Sequence, residues 1–149
     1  LLLVCLLIGV AGLPSGARGQ ASDSLAQASD TTNEETSVVA QRVATAFTEG
    51  NARRLLSPSA DRVEISLFGA RTFYSSAQAL YVLREFFRSH APRDFQVRDV
   101  MKTGTNCFVR GEYEQASRTR RLQVYVRLGQ PEGGDFWHLH EVRIEGASE

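Results

Sequence analysis

Cysteine is almost absent from this chain of 149 residues: there are two, Cys5 and Cys107. Cys5 lies inside an apolar opening run. If that run is removed, one thiol remains and no intrachain disulfide can brace the fold, even in an oxidising compartment. Stability must then come from a packed core. Lysine is nearly missing as well, since Lys102 is the one exception among 17 basic side chains, the rest being Arg. GC-rich coding is sufficient reason for that bias. The 17 basic residues are matched by 17 acids, so the formal net charge is zero. A neutral chain without a basic block gives no electrostatic footing for nucleic acid or an anionic membrane as partner. Arg118, Arg120 and Arg121 do cluster, but between two strand patterns, which reads as a solvated hairpin tip.

A long hydrophobic run is also lacking. The longest, Leu1 to Leu13, has 13 residues, short of the roughly 20 that a spanning helix requires. It fits the apolar core of a secretory leader. Pro14 and Ser15 break it, and the small residues Ala17, Gly19 and Ala21 offer cleavage after Gly19 or Ala21. The missing initiator methionine and basic flank place the start of that leader upstream. A lipoprotein anchor at Cys5 is rejected, because Val4 is too large ahead of it and the apolar run lies mostly after it. The expectation is an exported chain, periplasmic or secreted, with no stable membrane anchor after cleavage. Its layout is a signal peptide over 1–21, a flexible polar linker over 22–33 and one domain over 34–146.

Within that domain helical periodicity comes first and two-residue alternation second. Thr32 with Glu35 is a capping-box pattern. The helix it opens sets Val39, Val43, Ala46 and Phe47 on one stripe and stops at Gly50. Asn51 caps a short helix carrying Leu55 and Leu56, ended by Pro58. Arg62 to Phe68 alternates as a strand, Thr72 to Tyr74 adds a short one, and Ser75 with Gln78 caps a third helix. Ala79, Leu80, Leu83, Phe86 and Phe87 form the apolar stripe of that helix. Four strands follow, near 95–103, 107–115, 121–128 and 136–144. Helices first and strands afterwards imply an α+β domain: a cone of curved antiparallel sheet packed on about three N-terminal helices.

Several of these residues carry a resemblance. Glu49-Gly50-Asn51-Ala52 with Leu55, the run Tyr74 to Ala79 leading to Phe86-Phe87, Phe95 to Val97, Leu122 to Tyr125, and Trp137 with Val142 to Glu145 resemble the nuclear transport factor 2-like (cystatin-like) superfamily. Within it the chain is similar to an uncharacterised exported bacterial family of unknown function. The resemblance implies the cone fold and spans nearly all of 34–145. Enzymes on that fold, such as ketosteroid isomerase, scytalone dehydratase and limonene epoxide hydrolase, place acidic, tyrosine or histidine side chains inside the cone. No motif of theirs matches here, so no catalytic residue is carried across.

Alternation sorts the strand residues. Leu122, Val124, Val126 and Leu128 point inward, as do Cys107, Val109, Gly111 and Tyr113. Val97, Val109, Tyr113 and Val124 are then the expected lining of a cavity for a small apolar ligand. Phe95, Val97, Asp99 and Met101 share a face, which brings one carboxylate toward the core. For 136–144 two faces compete: Trp137, Leu139, Glu141 and Arg143, or Phe136, His138, His140, Val142 and Ile144. Asp99, Tyr113 and either His138 or His140 are the candidate acid/base set for an isomerase or dehydratase. His138 and His140 alone make an incomplete metal site, since a third ligand is missing, and neither metal nor other cofactor is expected. Cys107, mid-strand with no adjacent base, reads as a small buried hydrophobe. On the outer face Tyr125, Arg127 and Trp137 suit self-association as a homodimer, or docking as an accessory module of an envelope assembly.

Overall fold

The structure, a computed structural model, describes residues 20–147, with side chains from 33 onward. The chain divides into two compact units at Thr32 and Asn33, and the second contains the sheet. Helix α1 runs Gln20–Glu49. It therefore begins well before Thr32, and the segment expected as a linker over 22–33 is helical. No Gly or Pro occurs between Gln20 and Glu49 to stop a helix, and the Ala and Gln residues of the stretch favour it. The expected leader over 1–21 lies almost wholly outside the described residues, as does Cys5.

From Asn33 onward local signals and structure agree closely. Val39, Val43, Ala46 and Phe47 are buried. Asn51 accepts from the Arg54 backbone N–H at 3.0 Å and caps α2, Ala52–Leu56. Strands β1, Ser59–Leu67, and β2, Ala70–Ser75, pair antiparallel. The capping box of Ser75 and Gln78 opens α3, Ser76–Ser89. Four strands complete the domain: β3, Pro92–Thr103; β4, Asn106–Gln115; β5, Arg118–Gly129; and β6, His138–Gly146.

All six strands form one curved sheet in the order β2-β1-β6-β5-β4-β3. The sheet is mixed rather than purely antiparallel, because β6 returns beside β1 and runs parallel to it. Helical side chains pack against the inner face. There Val63, Ile65, Val109, Val124, Val126, Leu128, Leu139, Val142 and Ile144 join Leu55, Leu83, Phe86 and Phe87 in one core.

Two bulges decide which side chains face that core. In β3, Val97 pairs with Gly111 and Asp99 with Arg110, so Arg98 is an extra residue. In β6, Glu141 pairs with Arg127 and Leu139 with Leu128, so His140 is extra. One inserted residue reverses the face of everything after it. Inward positions therefore change from Phe95 and Val97 to Val100 on β3, and from Leu139 to Val142 and Ile144 on β6. Neither competing face for 136–144 is right along its whole length; each holds for half.

Candidate functional site

Among the described residues, aromatic rings pack together inside the cone. Phe47 stacks on Phe95 with ring centroids 4.9 Å apart and meets Phe87 and Tyr113 edge-on at 5.6 and 6.0 Å. Phe86 and Phe87 reach Tyr113 from α3. Of the four residues expected to line a cavity, Val109, Tyr113 and Val124 are buried core residues and Val97 is half-buried against them. Aromatic rings occupy the space that the sequence assigns to a ligand, because six-membered rings from α1, α3, β3 and β4 converge there.

Tyr113 is fully buried, and its hydroxyl donates to the carbonyl of His90, the residue that caps α3. Desolvation pushes its phenol well above the usual tyrosine range. It is a core aromatic with a structural hydrogen bond, not a proton donor facing substrate.

Asp99 lies on the other side of the sheet. The bulge at Arg98 turns it outward, where it is mostly exposed and 3.6 Å from Arg110. This corrects the reading that brought a carboxylate toward the core. Met101 turns outward with it.

His138 and His140 flank the buried Leu139 and are half-buried. The Nδ1 of His138 lies 3.3 Å from the Ser59 carbonyl oxygen. Burial, then Arg127 and His138, depress the imidazole of His140 below the ordinary histidine range. Two strands separate β6 from β3, and the register sets Arg143 rather than a histidine in line with Asp99, so Asp99 and the histidines stand at least about 14 Å apart along the sheet at the usual strand spacing. Asp99, Tyr113 and the histidines thus share no site. Among the described residues no group of three or more His, Cys, Asp or Glu side chains is placed to hold a metal. Cys107 is buried, and desolvation raises its thiol.

What the structure does gather is a cleft of about 340 Å³ on the outer face of β3 to β6. Met101, Phe108 and Tyr125 form its apolar floor and are all exposed. Around them stand Arg110 with Asp99, and Glu141 between Arg127 and Arg143 at 3.3 and 3.0 Å. The Arg143 guanidinium also lies over the Tyr125 ring at 5.9 Å. Tyr125 and Arg127 are where alternation puts them. Trp137 is not: it precedes the β6 bulge, packs half-buried against the core, and holds Lys102 over its ring at 5.5 Å. Phe108, Met101, Glu141 and Arg143 are the members that sequence reasoning missed. Phe108 was legible as the outward neighbour of Cys107 and Val109; the other three depend on the bulges.

Among the described residues no helix is long and apolar enough to cross a membrane. The comparison with curated proteins found no match. Solved structures that resemble the chain include a DUF4783 family protein from Bacteroides uniformis, 24% identical with a TM-score of 0.66, covering 73% of this chain and 97% of that one. One from Bacteroides fragilis is 19% identical at 0.64, covering 71% and 96%. A nuclear transport factor 2-like protein of unknown function from Silicibacter pomeroyi is 13% identical at 0.56, covering 79% and 98%. At such identities the likeness establishes the fold alone, which is nuclear transport factor 2-like. A family model matches residues 40–145, and the chain therefore belongs to the domain of unknown function family DUF4783.

Proposed function

We propose that this is an exported, non-catalytic domain that works by association through the outer face of its sheet, with a second copy of the same chain as partner. The observation that carries the reading is the patch of Met101, Phe108 and Tyr125, exposed on a sheet whose other face packs against the helices in the core. Aromatic and methionine side chains framed by arginine are the composition of interface centres rather than of ordinary surface. The frame carries both signs, with Arg110, Arg127 and Arg143 beside Asp99 and Glu141. A two-fold contact presents the same patch to itself, so a surface of mixed charge can match its own copy where a single-sign surface would repel it.

Small-ligand binding is the second reading. It moves from the packed interior to this same outer cleft, whose volume is within the range of small-molecule pockets. An isomerase or dehydratase built on Asp99, Tyr113 and a histidine is not retained, because the three lie apart. Export rests on the apolar opening run and the small residues after it.

Sedimentation velocity across a hundredfold concentration range tests the association. A sedimentation coefficient that rises toward the dimer value, and stays at the monomer value in Tyr125→Glu, is the expected result. A concentration-independent monomer would overturn it, as would a dimer unaffected by Tyr125→Glu.

A further inference from the structure

On the helical side of the domain a second cleft, about 390 Å³ in volume, is lined by Arg42, Asn51, Arg53, Arg54 and Ser57. Every side chain in that set is a hydrogen-bond donor, and none is acidic. The electrostatics are unbalanced for a chain of zero net charge. Arg42 is half-buried and spends its terminal nitrogens on three backbone carbonyls, Trp137 at 2.6 Å and Leu55 and Pro58 at 2.8 Å each. Among the described residues no carboxylate neutralises it, and its Nε is buried without a partner. Arg53 is exposed and, among the described residues, has no ion pair, and Arg54 has one half-exposed pair, with Glu49 at 3.4 Å. The Asn51 side-chain oxygen is occupied by the Arg54 N–H, which turns its amide nitrogen toward use as a donor. Ser57 adds an exposed hydroxyl.

We infer that this cleft is a binding site for a tetrahedral oxyanion group, phosphate or sulfate, held by Arg53 and Arg54 with Asn51 and Ser57 and drawn in by the uncompensated charge of Arg42. Guanidinium groups pair with such oxygens through parallel N–H donors. Arg42 contributes field rather than grip, because its donors already hold the chain. Burial lowers its affinity for the proton. The site is separate from the outer sheet face, and its test is independent of the oligomeric state.

The test is a ¹H–¹⁵N titration of the protein with inorganic phosphate, with glucose 6-phosphate, and with chloride at matched ionic strength. Saturable shifts confined to residues 42 and 51–57 are expected with the phosphates and not with chloride. Arg53→Gln with Arg54→Gln should weaken binding at least about tenfold while the unfolding midpoint stays in place, since both side chains are exposed. Equal saturation by both phosphates assigns the site to the free anion, and tighter ester binding assigns it to a phosphate group on a larger molecule. Shifts that chloride reproduces, or that survive the double substitution, would overturn the proposal.

Discussion

Tyr113 on β4 and His90 at the end of α3 are joined by a hydrogen bond from the phenol to the His90 backbone carbonyl. His90 itself stacks on Phe86 at 4.8 Å, so the bond ties the helix end into the aromatic core. Tyr113→Phe removes the donor and leaves that carbonyl unsatisfied. It should cost about 1 kcal/mol in urea unfolding, whereas Tyr113→Ala should cost about 3–5 kcal/mol through the void. The buried phenol is raised in the folded state, so its neutral form is what the fold stabilises. That contribution is complete below the unfolded tyrosine value of about 10 and is lost as pH rises beyond it. Wild type should lose stability at alkaline pH more steeply than Tyr113→Phe, and a urea midpoint series read against pH checks this.

Gly111 faces the core beneath Phe95. A Cβ there would come within 2.3 Å of the Phe95 ring and 2.8 Å of the Gln96 carbonyl oxygen. The ring could turn aside but the backbone oxygen cannot, so Gly111→Ala should destabilise by about 1–3 kcal/mol. Thermal unfolding measures the effect, and pairing it with Phe95→Leu should recover part of the loss.

His140 sits where β6 inserts its extra residue, and its imidazole is held below the ordinary range by burial, Arg127 and His138. A lowered folded value favours the neutral ring, so the stabilisation is full above the unfolded value of about 6.5 and is lost as pH falls below it. His140→Gln should flatten the decline in stability that sets in as pH falls below about 6.5. NMR titration of the ring protons should place His140 below the ordinary histidine value of about 6.5.

Arg42 fastens α1 to the α2–β1 turn and to the residue before β6 by its three carbonyl contacts. Arg42→Lys keeps the charge but not the fork. It should lose at least about 1.5–3 kcal/mol, the worth of one hydrogen bond to a charged group. Denaturant unfolding reads this directly.

Most of the architecture was legible before any coordinates. Asn51, Ser75 and Gln78 announce helix starts by chemistry that acts within four residues, and the stripe of Val39, Val43 and Phe47 needs only a period. The alternation of Leu122, Val124, Val126 and Leu128 is equally local and is matched by burial of all four. The site was less legible for a specific reason. A bulge adds one residue to one strand and leaves no mark in composition, yet it reverses every later side chain. Arg98 and His140 are two such insertions. They moved Asp99 and Met101 out of the interior and gave Glu141 and Arg143 to the outer cleft. Whether converging aromatics fill a cone or merely line it depends on ring placement in three dimensions, which spacing along the chain does not encode. The parallel pairing of β1 with β6 is likewise non-local, with some seventy-five residues between partners such as Ile65 and Val142.

The most direct measurement is an isotope-filtered nuclear Overhauser experiment on a mixture of labelled and unlabelled protein at high concentration. Cross-peaks between the Met101 methyl of one copy and the Phe108 or Tyr125 ring of another are predicted. Intermolecular cross-peaks arising only from the helical side, or none at all from the sheet, would contradict the claim that this face is where the domain does its work.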